Sequence, residues 1–259
     1  MMMKTGVLAF CLCAAAAPAL AQQMQWTDRG FVTVNIGVQV GSHNLNSTQT
    51  FTIYEEAGSI SSSQKVKSGV FFDVGGAYKV WRNNILAGLT YSRTSSDSNI
   101  SLQASVPDPF HFDEPRTVTA SASGAKHTES ALHFDAIYML PVTDKIDVGL
   151  FLGPTIFFAR QDLVSSLAVT ETGQGQPPLA QPPAFTRESR TTGGFNLGVD
   201  VQYLLGKSPL GHLTKKFANK TWGVGGTARF AWGSARFANT SKSLTLGGLQ
   251  LGVGARFRF

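Results

Sequence analysis

The sequence is short of the features that hold most exported proteins together. Its two cysteines, Cys11 and Cys13, both fall in a leader: Lys4 as a positive start, an apolar stretch from Gly6 to Ala17, and Ala19-Leu20-Ala21 before Gln22. That pattern reads as a secretory signal peptide over residues 1–21. A lipoprotein anchor needs a small residue just before the cysteine, and Phe10 and Leu12 stand there instead. Residues 22–259 contain no cysteine, which excludes disulfides and thiolate-held metals. They also contain no run of about 20 apolar residues, so no membrane-spanning helix is expected. Charge is sparse too. Setting Lys4 aside, the formal +6 becomes +5, too little to point to nucleic acid. No cofactor is expected.

What the sequence does have is two-residue alternation. In the last eleven residues, Leu249, Leu251, Val253, Ala255, Phe257 and Phe259 share one face of an extended strand, and Gln250, Gly252, Gly254, Arg256 and Arg258 the other. Alone, this stretch also fits the last strand of a soluble sandwich. Seven earlier segments repeat it, at about 31–40, 68–80, 85–91, 128–140, 146–158, 194–205 and 222–234. Eight in phase, at lengths suited to tilted membrane strands of roughly 9–11 residues, favour a barrel. A sandwich uses shorter strands with the charged face outward. The links agree, being tight at Trp81–Asn84 and Pro141–Asp144 and long and polar at 41–67, 99–127 and 161–193. Two links depart from this alternation: 206–221 is long and 235–243 is short.

The closing strand with its terminal Phe259 and the eight alternating segments resemble the small outer-membrane barrels of the OmpA/OmpX-like β-barrel superfamily. The resemblance covers nearly all of residues 22–259 and rests on pattern, with no catalytic motif. It implies one all-β domain, an eight-stranded antiparallel up-and-down transmembrane β-barrel with short periplasmic turns and long extracellular loops. It also implies export to the outer membrane of a Gram-negative bacterium, with Phe259 read by the barrel-assembly machinery and no peptidoglycan-binding domain following.

In such a barrel the apolar face meets lipid and the polar face fills a narrow interior. The inward charges are then Asp73, Lys79, Asp135, Asp147, Asp200, Arg229, Arg256 and Arg258. Equal numbers of acids and bases point to a paired network, because a lone buried ion costs several kcal/mol. Lys79, Asp147 and Arg258 are expected near the periplasmic end. Arg229 is expected at mid-barrel, held by Asp73, Asp200 or Asp135. On the lipid side, Tyr91, Tyr138, Tyr203, Trp222, Trp232, Phe257 and Phe259 read as interfacial aromatics. Beyond them Arg93, Lys126, Arg160 and Arg236 form an outer cationic rim, suited either to lipopolysaccharide phosphate or to plain snorkelling.

The stretch V-P-D-P-F-H-F-D-E-P, residues 106–115, brings His111 and Asp113 to one side if extended, a weak metal candidate. His127, Glu129, Ser130 and His133 cluster in sequence without a recognisable catalytic motif; His133 is expected beside Asp135. Lys207, Lys215, Lys216 and Lys220 give the 206–221 link its positive charge. The expected function is non-catalytic: an envelope or surface-interaction barrel, with outer-membrane lipid, lipopolysaccharide and extracellular ligands at the loops as partners. A narrow diffusion pore is the alternative, and a lipid-A-modifying or proteolytic enzyme a more distant one.

Overall fold

The computed structural model describes residues 25–41, 43–81, 84–173, 176, 178–207, 221–237, 240 and 243–259. The signal peptide at 1–21 and Lys215, Lys216 and Lys220 lie outside the described residues. Among the described residues twelve strands follow one another: β1 (Gly30–Val40), β2 (His43–Ile53), β3 (Glu56–Val66), β4 (Gly69–Trp81), β5 (Ile85–Val106), β6 (Arg116–Pro141), β7 (Ile146–Ser166), β8 (Val169–Thr170), β9 (Leu179–Ala180), β10 (Ala184–Lys207), β11 (Thr221–Ala235) and β12 (Leu244–Arg258).

Eight of them, β1, β4, β5, β6, β7, β10, β11 and β12, pair antiparallel with their neighbours in chain order, and β12 closes back on β1. Closure leaves the eight wall strands without the open edge that hydrocarbon would leave unsatisfied. Following the register from Gly30 through Tyr78, Ala87, Ala136, Leu152, Leu197, Phe230 and Leu249 returns to β1 at Val40, ten residues along. A shear of ten over eight strands tilts them by roughly 40° at the usual rise and spacing. The apolar set named in the last strand faces out and its polar set faces in, and the other seven strands likewise expose one parity and bury the other, with Phe71, Leu86, Met139, Phe151 and Phe157 among the inward side chains. Phe259 joins the seam: its carbonyl accepts from the N–H groups of Arg29 and Gly30.

The polar stretches at 41–67, 99–127 and 161–193 are not plain loops. They are largely β-structure. Strands β5, β6, β7 and β10 continue outward past the apolar belt, and the β2–β3 hairpin adds to β5. The reason is a second apolar set. Ile60, Ile100, Leu102, Ala104, Val106, Val118, Ala125 and Val164 turn inward there and bury one another. That burial gives the extension a core of its own.

Candidate functional site

The interior is built in tiers. At the periplasmic mouth the segment before β1 folds under the barrel, and Trp26 is 1% exposed. Its backbone N–H donates to Asn84 Oδ1 at 2.8 Å, and its carbonyl accepts from Lys79 Nζ at 2.6 Å. The Arg258 guanidinium lies 3.7 Å from the Trp26 ring centroid and meets Asp147 at 2.6 Å and Asp28 at 2.9 Å. Lys79 therefore anchors the N-terminal segment and pairs with none of the inward acids named from the sequence. Asp28, which precedes the first alternating segment, was not among the expected partners.

One tier up, Arg256 donates to both oxygens of Asp200 and to Asn35 Oδ1. It reaches β10 by lying across β11 at Gly225, where an added Cβ would meet its Nε at 3.0 Å. Asn35 Nδ2 in turn donates to Asp73 Oδ1 at 2.6 Å. At mid-barrel Arg229 lies between Asp73, at 3.5 Å, and Asp135, at 3.9 Å, with the Phe151 ring 5.1 Å away. Two of the three acids expected around Arg229 are there. The third, Asp200, is taken by Arg256 because Gly225 opens that route. Beside these groups is an interior cavity of about 40 Å³, bordered by Asp135, Asp200, Arg229 and Arg256. That is room for one or two waters.

Higher still is a cluster that the sequence reading left out of the interior. His127 contacts Gln161 Oε1 at 2.5 Å and Glu129 Oε1 at 2.7 Å. Glu129 Oε2 accepts from Gln39 at 3.2 Å and from the backbone of Gly247 at 2.9 Å. Gly247 has a φ of 85°, a conformation glycine adopts freely, and an added Cβ would strike the Ala231 carbonyl at 2.3 Å. His133 does not meet Asp135. It bonds Ser92 and Thr155, each at 2.9 Å. The signal was available, since His127, Glu129, His133 and Asp135 share one parity along β6.

Phenylalanine rings stand over five of the inward glycines. Phe71 covers Gly37 and Gly252, Phe151 covers Gly198, and Phe157 covers Gly194 and Gly233, at 2.4–2.8 Å from where a Cβ would stand. All three rings are buried.

On the outside, Arg93, Lys126, Arg160 and Arg236 are exposed. They do not share one level. Lys126 faces Asp97, four residues further along β5 than Arg93, so Arg93 sits lower on the wall. Arg160 pairs in register with Thr128 and Ser189, and Arg236 follows the end of β11. Asp162 and Arg187 join this outer surface, 2.8 Å apart. At the β5–β6 turn, His111 lies 3.8 Å from Asp108. Asp113 is turned away by a positive φ of 58°, and its N–H donates to Glu56. The stretch is a turn, so the strand geometry that would pair His111 with Asp113 does not apply.

The family model described as the outer membrane protein beta-barrel domain matches residues 7–257. The chain belongs to that family. The protein is thus an outer-membrane β-barrel of the kind found in Gram-negative bacteria. Among solved structures, the barrel is similar to Neisserial surface protein A, with 12% identity, a TM-score of 0.42 and coverage of 89% of this chain and 97% of that one. It is also similar to OprG from Pseudomonas aeruginosa, with 10% identity, a TM-score of 0.44 and coverage of 92% and 99%. The outer-membrane protease OmpT of Escherichia coli matches at 8% identity and a TM-score of 0.40, with coverage of 92% and 100%. No curated protein matches this chain in sequence.

Proposed function

We propose that this barrel is a non-conducting, non-catalytic anchor that works at the cell surface through its extracellular β-extension. The observation that carries this reading is the filling of the interior: Phe71, Phe151 and Phe157 occupy the space over the inward glycines, and the cavity at the ionic tiers is only about 40 Å³. Reconstitution in planar bilayers tests it. The expected result is no steady unitary conductance; a stable open channel from the pure folded protein would overturn it. The His127–Glu129 pair serves the filling. Both side chains are nearly fully buried, which keeps them from a substrate bond.

The outer cations are assigned to the phosphates of the outer leaflet. Lys126 and Arg160 stand on neighbouring strands just past the apolar belt, with Arg236 at the end of β11 and Arg93 lower. Arginine and lysine at that depth meet phosphate in favourable geometry. Replacing all four by Gln should abolish thermal protection of the folded barrel by lipid A; unchanged protection would show that they only snorkel.

A further inference from the structure

Strand β5 carries one face through three chemical zones. Ile85, Ala87, Leu89 and Tyr91 face outward in the apolar belt. Arg93 follows, and Ser95, Asp97, Asn99, Ser101 and Gln103 continue the same face beyond it. There β5 is the middle of a four-stranded sheet, β2–β3–β5–β6. Its outer face is laid out in rows: Thr48, Ser61, Gln103 and Thr119 in one, Asn46, Ser63, Ser101 and Ser121 in the next. A bulge between Ala122 and Ala125 reverses the parity of β6, which is what brings Thr119 and Ser121 to this face. The rows line an open groove of about 730 Å³ with no charged and no aromatic side chain in its lining.

We propose that this groove binds the uncharged sugars of the lipopolysaccharide surrounding the barrel. The proposal rests on the rim reading above and extends it. Hydroxyl and amide side chains both donate and accept, as sugar hydroxyls do. Neighbouring rows and strands are separated by roughly 5–7 Å, on the scale of a pyranose ring. A surface meant only for water mixes in Lys and Glu; the groove lining holds neither, and Lys65 and Asp97 on the same face stand below it, toward the membrane. The order of zones also matches. Lipopolysaccharide stacks acyl chains, then phosphates, then sugars, and the face of β5 stacks apolar residues, then the charged interval of Arg93 and the Asp97–Lys126 register pair, then the hydroxyls and amides from Asn99 on. The sheet face is continuous with the lipid-facing wall, so the molecule that covers the one reaches the other.

The test uses the full processed chain, folded in detergent micelles, and two fluorescent probes: lipid A alone, and the same lipid A carrying its core and long polysaccharide. The sugar-bearing probe is expected to bind about tenfold more tightly, equivalent to a few net hydrogen bonds. The variant S61A/S101A/Q103A/T119V should bring it to the lipid A value while leaving lipid A binding and heat-modifiable mobility unchanged. Should that variant lose the folded band, S101A and Q103A singly carry the same measurement. Equal binding of the two probes by the wild type, or a tenfold difference that survives in the variants, would overturn the proposal. Competition by dextran as strong as that by the detached polysaccharide would overturn the assignment to this leaflet's sugars. Loss of lipid A binding in the wild type would instead sink the rim reading.

Discussion

The membrane-embedded wall and the extracellular extension are made from the same strands with their chemistry turned inside out. In the membrane, β5 shows Ile85, Leu89 and Tyr91 outward and buries Thr90 and Ser92; beyond Asn99 it shows Ser101 and Gln103 outward and buries Ile100, Leu102 and Ala104. The strand does not break and its two-residue period does not slip. Only the medium changes. Hydrocarbon asks for an apolar exterior and lets a narrow lumen be filled with paired ions, whereas water asks for the reverse. The residues where the apolar set changes face, between Tyr91 and Ile100, therefore mark the outer edge of the bilayer on this strand. Arg93 and the Asp97–Lys126 register pair fall in that interval.

If the two regions are held by different forces, they should fail differently. The largest effect is expected inside the membrane wall. Arg229→Ala would leave Asp73 and Asp135 facing each other without their cation, at about 3–5 kcal/mol. Urea unfolding in lipid vesicles should show that loss. The triple change D73N/D135N/R229M should recover most of it, because it removes the charges together. A single variant as stable as wild type would mean that the mid-barrel charges are not coupled.

Next comes the periplasmic mouth. Trp26→Ala removes a fully buried ring, the Arg258 stacking partner, and is expected to cost about 3 kcal/mol by the same measurement. Trp26→Phe should keep most of the stability. The extension should respond in another way. Leu102→Ala is expected to cost about 2–3 kcal/mol, felt locally. Protease should then cut residues 43–66 and 99–127 while the heat-modifiable barrel band persists. Ser101→Ala, one residue away on the opposite face, should change stability by less than about 0.5 kcal/mol. Equal responses at 101 and 102 would erase the distinction between the faces.

Much of this was legible in residue order. Alternation placed most outward and inward residues of the eight wall strands, because a closed barrel in lipid punishes a slip of one position, but the buried His127 and Glu129 on β6 were not among them. It also carried the extension: Ile100, Leu102, Ala104 and Val106 alternate with Ser101, Gln103 and Ser105 as plainly as any wall segment. A polar-out strand resembles a loop wherever an apolar exterior is the expectation. The pairing of the interior charges was a different matter. Asp200 and Asp73 look alike as inward acids, and only the gap at Gly225 sends Arg256 to the first and leaves Arg229 to the second. Likewise nothing in the order of residues says that Trp26, ahead of the first strand, folds back under Arg258. Those contacts depend on which side chains cross the lumen, a distance that no one-dimensional period encodes.

The smallest expected effect separates the regions by pH. At the far end of the extension, Arg116 makes two hydrogen bonds to Glu171, at 2.7 and 2.8 Å, and lies 3.3 Å from Asp108. The Glu171 carboxyl is held below its ordinary value by those Arg116 hydrogen bonds. The Asp108 carboxyl is held down first by the Phe110 N–H, with Arg116 and His111 adding to it. Both groups bind protons more weakly folded than unfolded, so their contribution is complete above the ordinary carboxylate range, near pH 4, and fades as acid drives the pH down toward the folded values. Glu171 is exposed and Arg116 and Asp108 are half-buried, so solvent keeps the contribution small. Spin labels at Phe110 and Leu179 should report one short distance at neutral pH and a broadened distribution only in acid below about pH 4. Arg116→Gln should broaden it at every pH. A clip that opened already near neutrality, or a wild-type distance unchanged in strong acid, would show that the outer turn is held by its apolar contacts instead, and that charge pairing matters in this protein only where lipid surrounds it.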